Sequence, residues 1–228
     1  RILTSYEGEN MNVLLIGSGG REHALAWKIE QSPLVNKLYC APGNGGIEGI
    51  AECVDIKIDE ISKLVKFAKE KKIDLTVVGP ELPLVNGIVD TFQKEKLKIF
   101  GPNKVAAQLE GSKVFAKEFM QECNIPTAPF VSFDNVETAK SFVARAQFPL
   151  VVKADGLASG KGVYICHELP QAIKALDLIM VDKIYGDAGN DVVIEEFLQG
   201  EEVSIFAISD GDYFIILDSA QDHKKIFD

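Results

Sequence analysis

The sequence predicts an α/β protein: a parallel α/β domain over residues 11–103, then an α+β unit over 104–228. Three observations predict it. Up to residue 103, short apolar runs alternate with helical patterns, which implies right-handed β-α-β units around a parallel sheet. Past 104 the strands and helices around a glycine-rich loop read as a small α+β unit, and the last two strands are joined by a hairpin signal at Asp210-Gly211. Each part also carries a glycine-rich turn directly after an apolar strand.

In chain order, residues 12–16 (NVLLI) form an apolar run ending in Gly17, the pattern of a buried strand. A helix follows over 21–31 and a second strand over 37–41, closed by the turn PGNGG. Residues 54–58 alternate like a strand, and Asp59 is placed to cap the next helix. That helix puts Ile61, Leu64, Val65 and Ala68 on one face at i, i+3, i+4, i+7 spacing. Strand 75–78 runs into Gly79-Pro80, and two prolines make 79–84 a rigid loop. A helix over 87–96 and a short strand over 98–100 complete the domain.

The second part begins with helical segments over 104–123, Ser112 standing near the start of the second, and Ile125-Pro126 breaks the pattern. Strand 130–133, helix 137–146, strand 150–154, a glycine-rich loop, strand 162–166 and helix 169–180 follow. Residues 186–190 are a polar link. Strands are expected at 192–197, 203–209 and 213–218.

Composition narrows the function. Apolar residues make up 46% and charged residues 25%, which is the balance of a globular chain rather than a disordered one. The net charge is −10, and no Lys/Arg block forms a basic face, so nucleic acid is not an expected partner. An anionic ligand must then be drawn by local groups. Cys40, Cys53, Cys123 and Cys166 contain no C-x-x-C pair, which fits a reducing, cytoplasmic setting rather than a disulfide framework. His23, His167 and His223 are scattered and form no metal-ligand pattern. No run reaches the roughly 18 apolar residues of a membrane span. Residues 1–10 lack the apolar core of a signal peptide and read as an extension before Met11.

Four motifs could carry chemistry. Gly17-Ser18-Gly19-Gly20-Arg21-Glu22-His23 joins a strand to a helix, where glycines allow close approach and helix amides face an anion. It is either such a site or simply a tight turn. Glu22 stands at the third glycine of G-x-G-x-x-G, and the second strand ends without an acid, which disfavours a dinucleotide-dependent oxidoreductase. The second motif runs from Lys153 through Gly156, Ser159, Gly160 and Lys161 to Gly162. Three residues separate Gly156 from Gly160, and a strand follows where a P-loop needs a helix. The residues suit a flap whose amides close over a triphosphate while Lys153 reaches an inner phosphate; a flexible hairpin is the other reading. Third, Glu195 and Glu196 lie on an apolar strand, followed by Glu201 and Glu202. They are either exposed acids of an edge strand or acceptors for adenine and ribose donors, since buried acids need partners. Fourth, Glu81 follows Gly79-Pro80 at the carboxyl end of a parallel strand, where open sheets bind ligands.

Taken in order, GSGGREHALAW (17–27), APGN (41–44), VGPE (78–81), QLEGSK (108–113), IPTA (125–128), KADGLASGKGV (153–163), IEEFL (194–198), GEEVS (200–204) and QDHK (221–224) resemble the N-terminal portion of the glycinamide ribonucleotide synthetase (phosphoribosylamine–glycine ligase) family of ATP-grasp ligases. The resemblance spans 11–228. It implies a Rossmann-like domain followed by an incomplete ATP-grasp domain with a lid subdomain at about 124–188. It implies that Lys113 and Lys153 meet ATP phosphates and that 155–162 is the lid. Glu195, Glu196, Phe197 and Leu198 would then hold adenine, and Glu202 the ribose. Gly17, Gly19, Gly20, Arg21, Asn44, Glu81, Asp222, His223 and Lys224 would face phosphoribosylamine or product, with Lys153, Asp222 and His223 at the chemistry. The implied reaction uses ATP with Mg²⁺ or Mn²⁺ to join glycine to 5-phosphoribosylamine, and the implied metal ligands lie beyond Asp228. A non-catalytic nucleotide- or phosphosugar-binding module is the alternative.

Overall fold

The computed structural model describes residues 10–158 and 160–221. The first domain holds β1 (Met11–Gly17), α1 (Gly20–Glu30), β2 (Val35–Pro42), β3 (Glu52–Cys53), α2 (Ile61–Glu70), β4 (Leu75–Val78), α3 (Glu81–Val85), α4 (Ile88–Lys94) and β5 (Ile99–Phe100). Its five strands are all parallel, in the order β3-β2-β1-β4-β5. β1 is central, so both its faces are covered. Leu14 and Ile16 join one apolar cluster with Leu64, Ile88 and Phe92, while Val13 and Leu15 join another with Ala26 and Ile47. That period-two division explains why the strand reads as one unbroken apolar run.

Three details differ from expectation. Residues 54–58 form no strand; the pairing segment is β3, two residues earlier, while Val54, Ile56 and Ile58 pack on the core without a ladder. The residue before α2 is Glu60, not Asp59, and Glu60 Oε2 accepts from the Lys57 amide at 3.0 Å. The stretch after Pro80 is not an extended loop but α3. Pro83 fits its first turn, where a missing N–H costs no helical bond.

The second part contains α5 (Gln108–Gly111), α6 (Lys113–Glu122), β6 (Phe130–Phe133), α7 (Val136–Val143), β7 (Leu150–Ala154), β8 (Val163–Cys166), α8 (Leu169–Leu176) and β9 (Val192–Glu196). The helix expected over 169–180 ends sooner and continues as a π-helical turn, Asp177–Val181. Residues 203–209 break into β10 (Val203–Ser204) and β11 (Ala207–Ser209). β11 pairs with β12 (Phe214–Ile216) in the expected hairpin, and β10 pairs with β13 (Ala220–Gln221). The main sheet is antiparallel, ordered β6-β9-β7-β8. β9 is therefore an inner strand, and the edge-strand reading of Glu195 fails. Leu150, Val152, Ala154, Val192 and Ile194 turn to one face and bury against Ala139, Val143, Ala172 and Leu176 of α7 and α8. Alternation sends Lys153 and Glu195 to the opposite face. No helix among the described residues is long and apolar enough to cross a membrane.

Candidate functional site

The face of the second sheet opposite α7 and α8 gathers the charged residues. In the β7–β9 register Val151 stands across from Glu195 and Lys153 across from Val193. Lys153 and Glu195 are thus diagonal neighbours, within reach for a long side chain. Lys153 Nζ pairs with Glu195 Oε1. Helix α6 adds the rest. Ser112 caps it, accepting from the Phe115 amide at 3.0 Å and donating to Asp155 Oδ1 at 3.0 Å. The Val114 amide also donates to Asp155 Oδ1, at 2.7 Å. Asp155 therefore ties the helix start to the base of the glycine-rich loop.

Lys113 and Lys117, one helical turn apart, share a helix face. Lys113 Nζ donates to the carbonyls of Asp155 (3.2 Å) and Gly156 (3.1 Å). Burial pushes the Lys113 ammonium below its usual pKa of 10.5; the Asp155 charge opposes this and the Lys153 charge adds to it. Lys117 Nζ lies 2.5 Å from Glu195 Oε2, a close ionic contact rather than a well-directed hydrogen bond, and donates to Thr127 Oγ1 at 2.7 Å. Three ammonium groups converge here among the carboxylates of Asp155 and Glu195, with Glu110 acting on Lys113 and Asp155 on Asp191. Within a chain of net charge −10, these lysines are the local groups able to draw an anion.

The loop between β7 and β8 lies at the edge of this cluster. Gly160 has φ +74°, a left-handed conformation suited to glycine. The loop's stem is fastened from outside: the Tyr185 hydroxyl donates to the Lys161 carbonyl at 2.6 Å and lies 2.7 Å from the Tyr164 hydroxyl. Burial, then the bond to Tyr185, pushes the Tyr164 phenol up to about 12. Gly162 leads from this stem into β8, its carbonyl accepting from the Ala154 amide at 2.8 Å.

At the end of β9 a cavity of about 740 Å³ is lined by Phe130, Phe148, Glu195, Glu196, Phe197 and Leu198, among others. Small-molecule sites span roughly 300–1,000 Å³. The four residues expected to hold adenine thus border one space, although the Glu195 side chain itself is spent on lysines. Glu202 is exposed on the segment that follows.

A second locus lies in the first domain, where β1 and β4 adjoin and the strand order reverses; such a switch point opens a crevice beyond the strands' carboxyl ends. Arg21 Nη2 bonds Glu81 Oε1 at 2.9 Å across it, and that bond raises the Arg21 pKa. Gly17 and Gly19 pack against Glu22, and Gly20 opens α1. The Gly19 amide is already taken, donating to Glu22 Oε2 at 2.7 Å. Glu22 is 4% exposed and touches Gly79 as well as Gly17, so one carboxylate joins both loops. Asn44 is engaged at both ends, donating to the Ser18 carbonyl at 2.8 Å and accepting from the Gly46 and Ile47 amides. It ties the PGNGG turn to the first glycine loop.

Ser159, Asp222, His223 and Lys224 lie outside the described residues. Sequence reading assigned no role to Lys117 or Thr127, took Asp155 only as the first residue of the lid, and took Glu22 only as a departure from the dinucleotide fingerprint. The signal for Lys117 was its spacing of four from Lys113.

Residues 11–110 match the family model for "Phosphoribosylglycinamide synthetase, N domain", and residues 111–228 that for "Phosphoribosylglycinamide synthetase, ATP-grasp (A) domain". The chain belongs to the phosphoribosylglycinamide synthetase family. A phosphoribosylamine–glycine ligase of Brucella melitensis is 54% identical over 218 residues, covering 96% of this chain and 51% of that protein. One from Caldanaerobacter subterraneus is 51% identical, with 96% and 52% covered. The crystal structure of the Thermotoga maritima phosphoribosylamine–glycine ligase superposes with a TM-score of 0.76 at 32% identity, covering 94% of this chain and 51% of that one. A biotin carboxylase domain from Hydrogenobacter thermophilus, solved with MgADP, shares the fold at TM-score 0.74 and 16% identity, covering 92% of this chain and 49% of that one. This family member spans about half the length of the curated relatives it matches. Among its described residues no three His, Cys, Asp or Glu side chains converge to hold a metal ion. The Mg²⁺ that the resemblance implies has no ready-made site among them.

Proposed function

We propose that this chain supplies the nucleotide face and the amino-sugar crevice of a phosphoribosylamine–glycine ligase. The observation that carries the reading is Lys113: its ammonium rests on the carbonyls at the base of the glycine-rich loop, in the field of Lys153, which stands on the same sheet whose strand β9 runs into the cavity bordered by residues 195–198. A triphosphate there would displace weak carbonyl acceptors and gain two charge-assisted partners. The loop 155–162 would then close as a lid, with adenine against Glu196, Phe197 and Leu198 and the ribose near Glu202. Ser159 and Lys161 would serve the lid, while Arg21, Asn44 and Glu81, with Asp222, His223 and Lys224, would serve the phosphosugar.

In this reading the γ-phosphoryl group passes to the glycine carboxylate, releasing ADP. The amine of 5-phosphoribosylamine then attacks the acyl carbon and expels phosphate, leaving an amide. Lys113 and Lys153 neutralise phosphate charge, and the lid excludes water, which is what phosphoryl transfer asks of a protein. Mg²⁺ would travel with the ATP, in the cytoplasm.

Calorimetric titration of the chain with ATP and with NAD tests the binding step. ATP binding that Lys113→Met abolishes supports the reading; NAD binding in preference to ATP would overturn it. Glycine- and phosphoribosylamine-dependent release of ADP then separates a ligase from a module that binds without turnover.

A further inference from the structure

We propose that Lys117 is a positioning residue of the nucleotide face: it is the standing partner of Glu195, and its charge frees Lys153 to leave that carboxylate for an incoming phosphate. The destination of Lys153 rests on the nucleotide reading above; the hold on Glu195 rests on geometry alone.

Glu195 is almost wholly buried, its side chain 7% exposed, and each carboxylate oxygen faces a different lysine: Oε2 faces Lys117 and Oε1 faces Lys153. The two lysines are not equivalent. Lys117 is 12% exposed and rides on a helix. It also donates to Thr127 Oγ1 at 2.7 Å and the Ala128 carbonyl at 3.4 Å, and lies 5.6 Å from the centre of the Phe130 ring. Lys153 is 26% exposed and stands just before the glycine-rich loop, with Glu195 as its ion-pair partner. Lys117 is held by several groups; Lys153, among the described residues, makes one ion pair and is the more exposed of the two.

A buried carboxylate with a single cation holds it firmly, because separating them strands a charge in a poor dielectric. Lys117 removes that difficulty. With Glu195 already neutralised, Lys153 feels a paired dipole and the repulsion of a second ammonium, so its release leaves no buried charge alone. Lys153 is thus kept aimed along the sheet face yet available. Without Lys117, Glu195 would compete with the phosphate for Lys153.

The test is acylation of Lys153 by N-hydroxysuccinimidyl acetate in the full 228-residue chain, quantified peptide by peptide by mass spectrometry at fixed pH. Lys117→Met should slow Lys153 acylation about fivefold, as Glu195 then binds it alone. Lys117→Arg keeps a permanent charge and should restore the wild-type rate. Thr127→Val loosens Lys117 without removing it, should give an intermediate rate, and serves if Lys117→Met does not fold. Lower thermal stability with Lys153 acylation unchanged or faster in Lys117→Met and Thr127→Val would make Lys117 a structural ion pair only and overturn the proposal. Protection of wild-type Lys153 by added ATP is expected. Slowing in Lys117→Met without any ATP protection would refute the phosphate as destination and uphold the hold on Glu195.

Discussion

Replacing Glu195 by glutamine keeps the shape of the side chain and removes the charge that two lysines share. Breaking a buried ion pair from one side costs about 3–5 kcal/mol, because the partner is left uncompensated. Two features of the site reduce that figure. Lys153 is 26% exposed and can turn toward water. Lys117, at 12% exposure, keeps its bond to Thr127 and the Ala128 carbonyl. The expected loss is therefore about 2–3 kcal/mol. At roughly 2–4 °C per kcal/mol for a chain of this size, Tm should fall by about 4–12 °C. Lys153→Met should cost less than about 1 kcal/mol, since Glu195 retains Lys117. Thermal unfolding followed by circular dichroism measures both. The difference between the variants should survive about 1 M salt, where exposed pairs are screened and buried ones are not. A Glu195→Gln variant within about 1 °C of wild type, or a Lys153→Met variant equally destabilised, would show that Glu195 is not the shared buried anion described here.

Other consequences are as direct. A Cβ at Gly79 would collide with the Glu22 side chain at its Cγ; Gly79→Ala should therefore cost about 1–3 kcal/mol through overpacking, and Glu22→Ala in the same chain should recover most of it. Additive losses in urea unfolding would mean that Glu22 is not what Gly79 accommodates. Tyr185→Phe removes the hydroxyl on the Lys161 carbonyl, so trypsin should cut after Lys161 about three- to tenfold faster, as expected for loss of one hydrogen bond; an unchanged cleavage rate would rule out the fastening. Lys113 titrates below 10.5 chiefly through burial. The unfolded chain then binds more protons than the folded one as pH approaches 10.5, so stability rises with pH in that window. An anion at Lys113 reverses the shift, and nucleotide binding near the upper end of the window should take up protons. Calorimetry in two buffers of different ionisation enthalpy detects this, and equal apparent enthalpies would refute it.

The fold was legible where burial was uniform. β1 and β4 lie inside a parallel sheet, so apolar residues fill both faces and the runs stand out. β6 and β7 were equally plain, bounded by a proline or the glycine-rich loop. β3 was not legible, because a two-residue strand holds its place by backbone bonds that leave no side-chain pattern. The alternation at 54–58 came from residues packing on the core as a loop. α3 was hidden by Pro83, since a proline in a first turn looks in sequence like one that forbids a helix.

The site was legible in parity but not in register. Core residues Leu150, Val152 and Ala154 imply that Lys153 faces away from them, and Ile194 implies the same for Glu195. Both facts can be read from alternation alone. That the two side chains meet depends on Val151 standing opposite Glu195 in an antiparallel ladder, and neither strand encodes that alignment by itself. A slip of one residue would bury Lys153 against Ile179 and Leu176 or expose Val152. The apolar set on the covered face therefore fixes which polar residues meet on the open one. Lys117 follows by the same logic: once Lys113 is set over Asp155, helical geometry brings the residue four positions on over β9. The ion-pair cluster is thus a consequence of core packing and helix pitch acting on three separate segments, and its members could be named as a set only after those segments were placed.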